Sequence, residues 1–306
     1  MAKLSIIGAG NLGSQAAFYA ALKGVGEIVL VDIVEGMPQG KSLDMMEGMP
    51  LADSSSKIKG ANTYEETRDS DVVIVTAGLP RKPGMTREDL LETNSNILKS
   101  VIPEVVKYSP NCKLIIVTNP VDAMVYLAYK LSGFPKSRVI GMAGALDSSR
   151  FSAFIAMEAN EDVKNIQAIV MGSHGDLMVP LLSHCKVNGK PVTEVLGREK
   201  IESIVERTRK AGGEIVQLLK NGSAFFAPGM SAAEMAMSII NDKKKIIPCL
   251  AMLEGEYGVN GLFVGVPARL GKGGVEEILE LELSGEEKKA FENSVSHIRE
   301  VVANLQ

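Results

Sequence analysis

The stretch Leu4-Ser5-Ile6-Ile7-Gly8-Ala9-Gly10-Asn11-Leu12-Gly13-Ser14-Gln15-Ala16-Ala17 decides how this chain is read. Leu4 to Ile7 is a short apolar run that predicts a buried strand. Three glycines follow at once, and Ser14 to Leu22 predicts a helix ended by Gly24 and Gly26. Ile28 to Val31 is a second strand that closes on Asp32, about twenty residues beyond the last glycine. Strand, glycine turn, helix, strand and acid match the dinucleotide fingerprint in order and spacing. Gly8 allows the tight turn, Gly10 lets backbone approach a pyrophosphate, and Gly13 lets helix and strand pack closely. The helix start offers free N–H groups and the positive end of its dipole to the phosphates. A carboxylate at Asp32 suits ribose hydroxyls and repels a 2′-phosphate, which favours NAD over NADP.

The rest of the first half repeats the theme. Met37 to Met49 predicts a helix that buries methionines. Asp71 to Gly78 and Cys112 to Val117 are apolar strands ending in small or polar residues, and Val139 to Met142 is a third. Helices are predicted over Asp89 to Tyr108 and Met124 to Leu131. The alternation predicts a Rossmann-type doubly wound parallel sheet over residues 1–143, with ligands at the carboxyl ends of its strands. Leu79 to Leu90 reads as a loop because of Pro80, Pro83 and Gly84. Its three cations, Arg81, Lys82 and Arg87, suit a lid over an anionic substrate. Pro120 biases Asn119 out of the helical region and sets that strand's end.

The second half, residues 144–306, reads as an α+β substrate domain. Asp147 and Arg150 lie three apart in a helix running to about Glu158. Ile166 to Met171 predicts a strand that delivers Gly172-Ser173-His174-Gly175-Asp176. Lys186 to Val192 is a hairpin around Asn188-Gly189. A long helix spans Glu199 to Lys220, with Gly212-Gly213 as a possible break. Strands at Ile246–Glu254 and Leu262–Pro267 flank a Tyr257-Gly258 turn, and a capping box at Ser284 opens the last helix.

Composition narrows the function. A chain of 306 residues, 45% hydrophobic, can bury a large core, and its net charge of −4 gives no reason to expect nucleic acid. No apolar run reaches the roughly 18 residues of a membrane span, and no signal-peptide pattern opens the chain. Three scattered cysteines fit neither a disulfide frame nor a zinc site and suggest a reducing cytoplasm. A dinucleotide dehydrogenase needs a base for the hydroxyl proton, and a histidine titrating near neutrality suits it. His174, held between glycines at a strand end, is the best placed, whereas His184 and His297 read as structural. Its carboxylate partner is Asp147 or Asp176 on spacing alone. A planar cation for a substrate carboxylate is available in Arg150, Arg87 or Arg81.

These segments carry a resemblance. GAGNLG at 8–13, the acid at 32, RKPGMTREDL at 81–90, TNPVD at 118–122, DSSRF at 147–151 and GSHGD at 172–176 stand in one order along nearly the whole chain. Together they resemble the lactate/malate dehydrogenase family of 2-hydroxy acid dehydrogenases, and its malate branch more closely. The resemblance implies NAD-dependent, reversible oxidation of (S)-malate to oxaloacetate in a cytoplasmic homodimer or homotetramer. It implies His174 as proton acceptor, Asp147 as its partner, and Arg150 on the substrate C1 carboxylate. By the same likeness Arg87 polarises the carbonyl and Asn119 contacts substrate and nicotinamide. Cofactor contacts are implied for Gly8, Ala9, Gly10, Asn11, Leu12, Gly13, Asp32, Asn94, Val117, Thr118 and Asn119. Arg81 is the position that separates substrates: lactate enzymes carry glutamine there, and malate enzymes an arginine for the second carboxylate. Lactate members also carry a threonine near Ala224, where this chain reads Gly222-Ser223-Ala224-Phe225-Phe226. The alternative activity is that of a lactate or broad 2-hydroxy acid dehydrogenase.

Overall fold

A computed structural model describes residues 1–80 and 86–305. The first half comprises β1 (Lys3–Ile7), α1 (Asn11–Leu22), β2 (Glu27–Val31), α2 (Met37–Gly48), β3 (Lys57–Ala61), β4 (Val72–Val75), α3 (Arg87–Tyr108), β5 (Lys113–Ile116), α4 (Val121–Ser132) and β6 (Val139–Gly141). The second comprises α5 (Gly144–Ala159), β7 (Ile166–Gln167), β8 (Val170–Gly172), β9 (Met178–Pro180), β10 (Lys186–Val187), β11 (Lys190–Pro191), α6 (Val192–Val195), α7 (Arg198–Leu219), α8 (Phe226–Ile240), β12 (Lys245–Glu254), β13 (Asn260–Gly271), β14 (Gly274–Ile278) and α9 (Gly285–Ala303).

Six parallel strands run in the order β3-β2-β1-β4-β5-β6, so the chain reverses direction across the sheet between β1 and β4. Parallel strands buried on both faces read as continuous apolar runs. The structure shows why. Leu4, Ile6, Ile28, Leu30, Val72 and Ile74 enter one core, while Ile7, Val29, Val31, Val73 and Val75 enter the other. The sheet continues into the second half through an antiparallel pairing of Leu250 with Gly141.

Several differences from the sequence reading have physical causes. The predicted strand over 166–171 divides into β7, which joins a small sheet with β10, and β8, which pairs with β13 in the large one. The Val170 N–H at the start of β8 donates to Ser148 Oγ. The helix expected from Asp89 starts two residues earlier, at Arg87, within the stretch expected as loop, because Thr86 and Asp89 form a capping box that starts α3. Helix α7 runs unbroken through Gly212 and Gly213. Within α2 only Met45 of the methionines is buried, and Leu43 faces outward. The elements α8, β3, β9 and β14 were not foreseen.

Helix α8 matters for the site because it lies along α1. The contact is made by small residues: Ala16, Ala17 and Ala20 share one core with Ala232, Ala233 and Ala236. A Cβ on Gly229 would fall 2.9 Å from Gln15 Cβ and 3.0 Å from Ala16 N. Gly229→Ala is therefore expected to destabilise the fold by about 1–3 kcal/mol, read as a lowered midpoint in thermal melting.

Candidate active site

The glycine turn is built as its sequence requires. Gly8 has φ +111°, and a Cβ there would lie 2.5 Å from Thr76 Oγ1. A Cβ on Gly13 would lie 1.9 Å from Gly8 O, so the helix can sit this close to the turn only without a side chain. Gly10 differs: a Cβ there meets nothing within 4 Å, so the turn is open on that side. It caps α1 with no side-chain hydrogen bond, leaving the first-turn N–H groups uncapped by any side chain. Asp32 Oδ2 accepts the Ala9 N–H at 2.7 Å and Oδ1 accepts the Val34 N–H at 3.0 Å. A carboxylate has about four acceptor positions, so two remain for ribose hydroxyls. Open turn, uncapped helix and spare carboxylate lone pairs fit a dinucleotide. Lys41 Nζ braces the turn by donating to Ala9 O at 2.7 Å.

The carboxyl ends of β4 and β5 meet beside this turn. Asn94, 1% exposed, spends its amide on the backbone: its Oδ1 accepts the Leu79 N–H, and its Nδ2 donates to Leu79 O and Asn119 O. Thr118 Oγ1 donates to Ala77 O at 2.7 Å. Asn119 is exposed at the strand end, directly before a cis proline.

The histidine sits where β8 ends. Gly172 and Gly175 both have positive φ and frame the loop. His174 Nδ1 lies 2.8 Å from Asp147 Oδ2, so the partner left open by spacing is Asp147. Asp147 is 1% exposed, and its other oxygen, Oδ1, makes no hydrogen bond among the described residues but faces Arg150 Nη1 at 3.6 Å. Burial disfavours a charged imidazole, yet the Asp147 carboxylate, by charge and hydrogen bond, and Asp122 outweigh both that and Arg150. The His174 pKa is therefore raised. Burial pulls the Arg150 guanidinium pKa down, and Asp147 partly restores it.

A residue that sequence reasoning passed over completes the group. Both oxygens of Asp122, the second residue of α4, accept the His174 main-chain N–H, at 3.1 and 3.3 Å. Burial pushes its carboxyl up to about 7, against the pull of His174 and with a further push from Asp147. The signal was the acid of TNPVD, one residue into a helix that opens after a proline. Next to it, the Ser173 N–H donates to Ser294 Oγ on α9 at 2.7 Å.

A cavity of about 290 Å³ joins the two halves. Leu12 of the glycine turn, Val117, Asn119, Arg150 and His174 all line it, together with Ser223 and Ala224. Arg81 lies outside the described residues, as does the side chain of Arg87, the first residue of α3. His184 Nε2 lies 2.7 Å from Glu282 O. The three cysteines are buried, and burial pushes each thiol up to about 12. Among the described residues, no helix is long and apolar enough to cross a membrane.

Fold and site together define a class: a doubly wound dinucleotide-binding protein in which a half-buried histidine pairs with a buried carboxylate in the cavity beside the nucleotide turn. The chain belongs to the lactate/malate dehydrogenase family. Residues 2–141 match that family's NAD binding domain, and residues 144–305 its alpha/beta C-terminal domain. It is 52% identical to the malate dehydrogenase of Bacillus israeli, over 99% of this chain and 98% of that one. Among solved structures, the malate dehydrogenase from Salinibacter ruber superposes with TM-score 0.95 at 48% identity, covering 99% of this chain and 97% of that one. The lactate dehydrogenase from Cryptosporidium parvum, solved with lactic acid and cofactor, gives TM-score 0.95 at 42% identity, covering 99% and 97%.

The raised His174 pKa has a consequence for stability. A pKa higher in the folded than the unfolded state stabilises the fold below the ordinary value, near 6.5. That contribution is lost as pH rises through the raised value. Asp147→Asn, which deletes the charge most responsible, is expected to flatten this fall in a plot of melting temperature against pH. Each unit of displaced pKa corresponds to about 1.4 kcal/mol.

Proposed function

We propose that the chain catalyses the reversible NAD-dependent oxidation of (S)-malate to oxaloacetate. One observation carries the reading: His174, paired with Asp147, and Arg150 open into the same cavity as Leu12 of the dinucleotide turn. NAD, held by the Gly8–Gly13 turn and Asp32, would supply the acceptor for the hydride of the malate C2 carbon. His174 Nε2 takes the hydroxyl proton in that direction and returns it in reduction. Asp147 holds the other ring nitrogen, which fixes the tautomer and compensates the imidazolium. Arg150 takes the C1 carboxylate through N–H groups that make no hydrogen bond among the described residues. Asn119 orients substrate and nicotinamide. Arg87 polarises the C2 oxygen, and Arg81 pairs with the second carboxylate.

The cofactor residues act in two ways in this reading. Gly8, Ala9, Gly10, Asn11, Leu12 and Gly13 bind the diphosphate, and Asp32 binds the adenosine ribose. Val117 and Thr118 form the wall beside the nicotinamide. Asn94 acts through the backbone it holds, fixing Asn119 relative to Leu79. Residues 1–143 form the cofactor unit and 144–306 the substrate unit. We place the enzyme in the cytoplasm, consistent with three free cysteines, and as a homodimer or homotetramer.

Malate is favoured over lactate by the named relatives and by the arginine at position 81. Pyruvate would leave that guanidinium unpaired under a closed lid, at a cost of about 3–5 kcal/mol. Oxaloacetate is therefore expected to outpace pyruvate in NADH oxidation at 340 nm, a band of the reduced cofactor. Arg81→Gln should lower kcat/KM on oxaloacetate by about 10²–10⁴-fold while NADH affinity stays nearly constant. Equal loss in both would remove Arg81 from the substrate.

A further inference from the structure

Asp122 is a buried carboxylate, 7% exposed, without an ion pair to Lys or Arg among the described residues. Burying such a group uncompensated is costly. What it faces is His174. Among the described residues, the charged groups around that imidazole are Asp147 and Arg150 from α5 and Asp122 from α4. Asp122 comes from a different element than Asp147 and reaches the histidine from its main-chain side, with both oxygens on the His174 N–H. Ser294 holds the neighbouring N–H, that of Ser173, through an uncharged hydroxyl. Two consecutive amides of one loop thus have two anchors, and only the one on the histidine carries charge.

We propose that Asp122 is a positioning residue for proton transfer: it fixes the His174 main chain and sets a second negative charge behind the imidazole, so that two carboxylates compensate a proton arriving there. This rests on the reading above only in taking His174 as the proton acceptor. An anchor alone needs no carboxylate, as Ser294 shows, and the net charge of the group decides what protonation costs. With Asp147 and Asp122 both ionised, the protonated ring and Arg150 make a balanced set of two positive and two negative charges. Burial raises the Asp122 carboxyl to about 7, and the charges of Asp122 and His174 act on each other across the main-chain contact, so the two titrate as a coupled pair.

The test is NMR titration of the His174 imidazole in the full-length protein, with the resonance assigned by its loss in His174→Gln. Asp122→Asn keeps an oxygen for the N–H and deletes the charge. It is expected to lower the pH of half-protonation by about 0.5–1 unit. Ser294→Ala, which removes the uncharged anchor, is expected to leave that pH in place. In malate oxidation, where the ring must be neutral, the acid limb of kcat/KM should move to lower pH in Asp122→Asn. Affinity for NADH should hold within about twofold, since the Asp122 carboxylate is engaged by the His174 main chain and not by a residue assigned to the cofactor. An unchanged His174 titration in Asp122→Asn, or an equal shift in Ser294→Ala, would overturn the proposal. Should the Asn variant not fold, the unsubstituted protein decides the matter: Asp122 carboxyl and His174 ring signals should share two titration steps, and two independent single-step curves would refute the coupling. The titrations need no substrate. A chain that shows the shift but does not turn over oxaloacetate would lose the proposed substrate and keep this inference.

Discussion

Asp147 carries a carboxylate into a place where it is 1% exposed, and the site is arranged around compensating it. A buried charge without partners is expensive. The chain supplies partners from two directions: His174 at 2.8 Å from the β8–β9 loop, and Arg150 at 3.6 Å from the next turn of α5. The spacing of Asp147 and Arg150 is a helix spacing, so both face one side. That pair can meet His174 only if β8 ends where it does, with Gly172 and Gly175 bending the loop through positive φ. The uneven geometry has a chemical use. The tight contact to His174 fixes its ring, and the looser one to Arg150 leaves that guanidinium on the cavity wall, where the proposed reading gives it the substrate carboxylate.

The large sheet makes the meeting possible. In a doubly wound sheet the ligand crevice lies outside the carboxyl ends of the strands, where the strand order reverses. Here β1 and β4 bring the glycine turn and the Thr76–Leu79 segment to that point, and β5 adds Val117 to Asn119. The antiparallel strands β12 and β13 then carry the same sheet onward to β8, which delivers His174. Cofactor turn and histidine are thereby fixed to one framework. Helix α8, packed along α1, contributes Pro228 to the cavity wall just ahead of its contact with the cofactor helix.

Much of this was legible in the sequence. The first strand, turn, helix and acid declare themselves locally, since they follow one another at the spacing a dinucleotide turn needs, even though the close contact that keeps Gly8 free of a side chain is with distant Thr76. The apolar runs of the parallel strands are readable because both faces are buried. At the site, His174 stood out by its flanking glycines and Arg150 by its spacing from Asp147. What stayed hidden depends on tertiary context. Helix α8 begins with Phe226-Ala227-Pro228-Gly229, which reads as a break. In the fold Pro228 sits in the first turn, where its missing N–H costs nothing, and Gly229 is needed for close packing on α1. The Ile166–Met171 run reads as one strand until its two ends join different sheets. Asp122 looks like a helix-start acid, and only the return of the chain some fifty residues later gives it His174.

The account holds that one imidazole, fixed by a buried carboxylate, moves the proton while other residues bind cofactor and substrate. The most direct measurement is the steady-state rate of His174→Asn on oxaloacetate, beside its NADH affinity measured by fluorescence titration. The account predicts a fall in kcat of about 10²–10⁴-fold, with NADH affinity within about threefold of the unsubstituted protein. A variant that retains its rate to within about threefold would contradict it, because the proton would then be moving through another group.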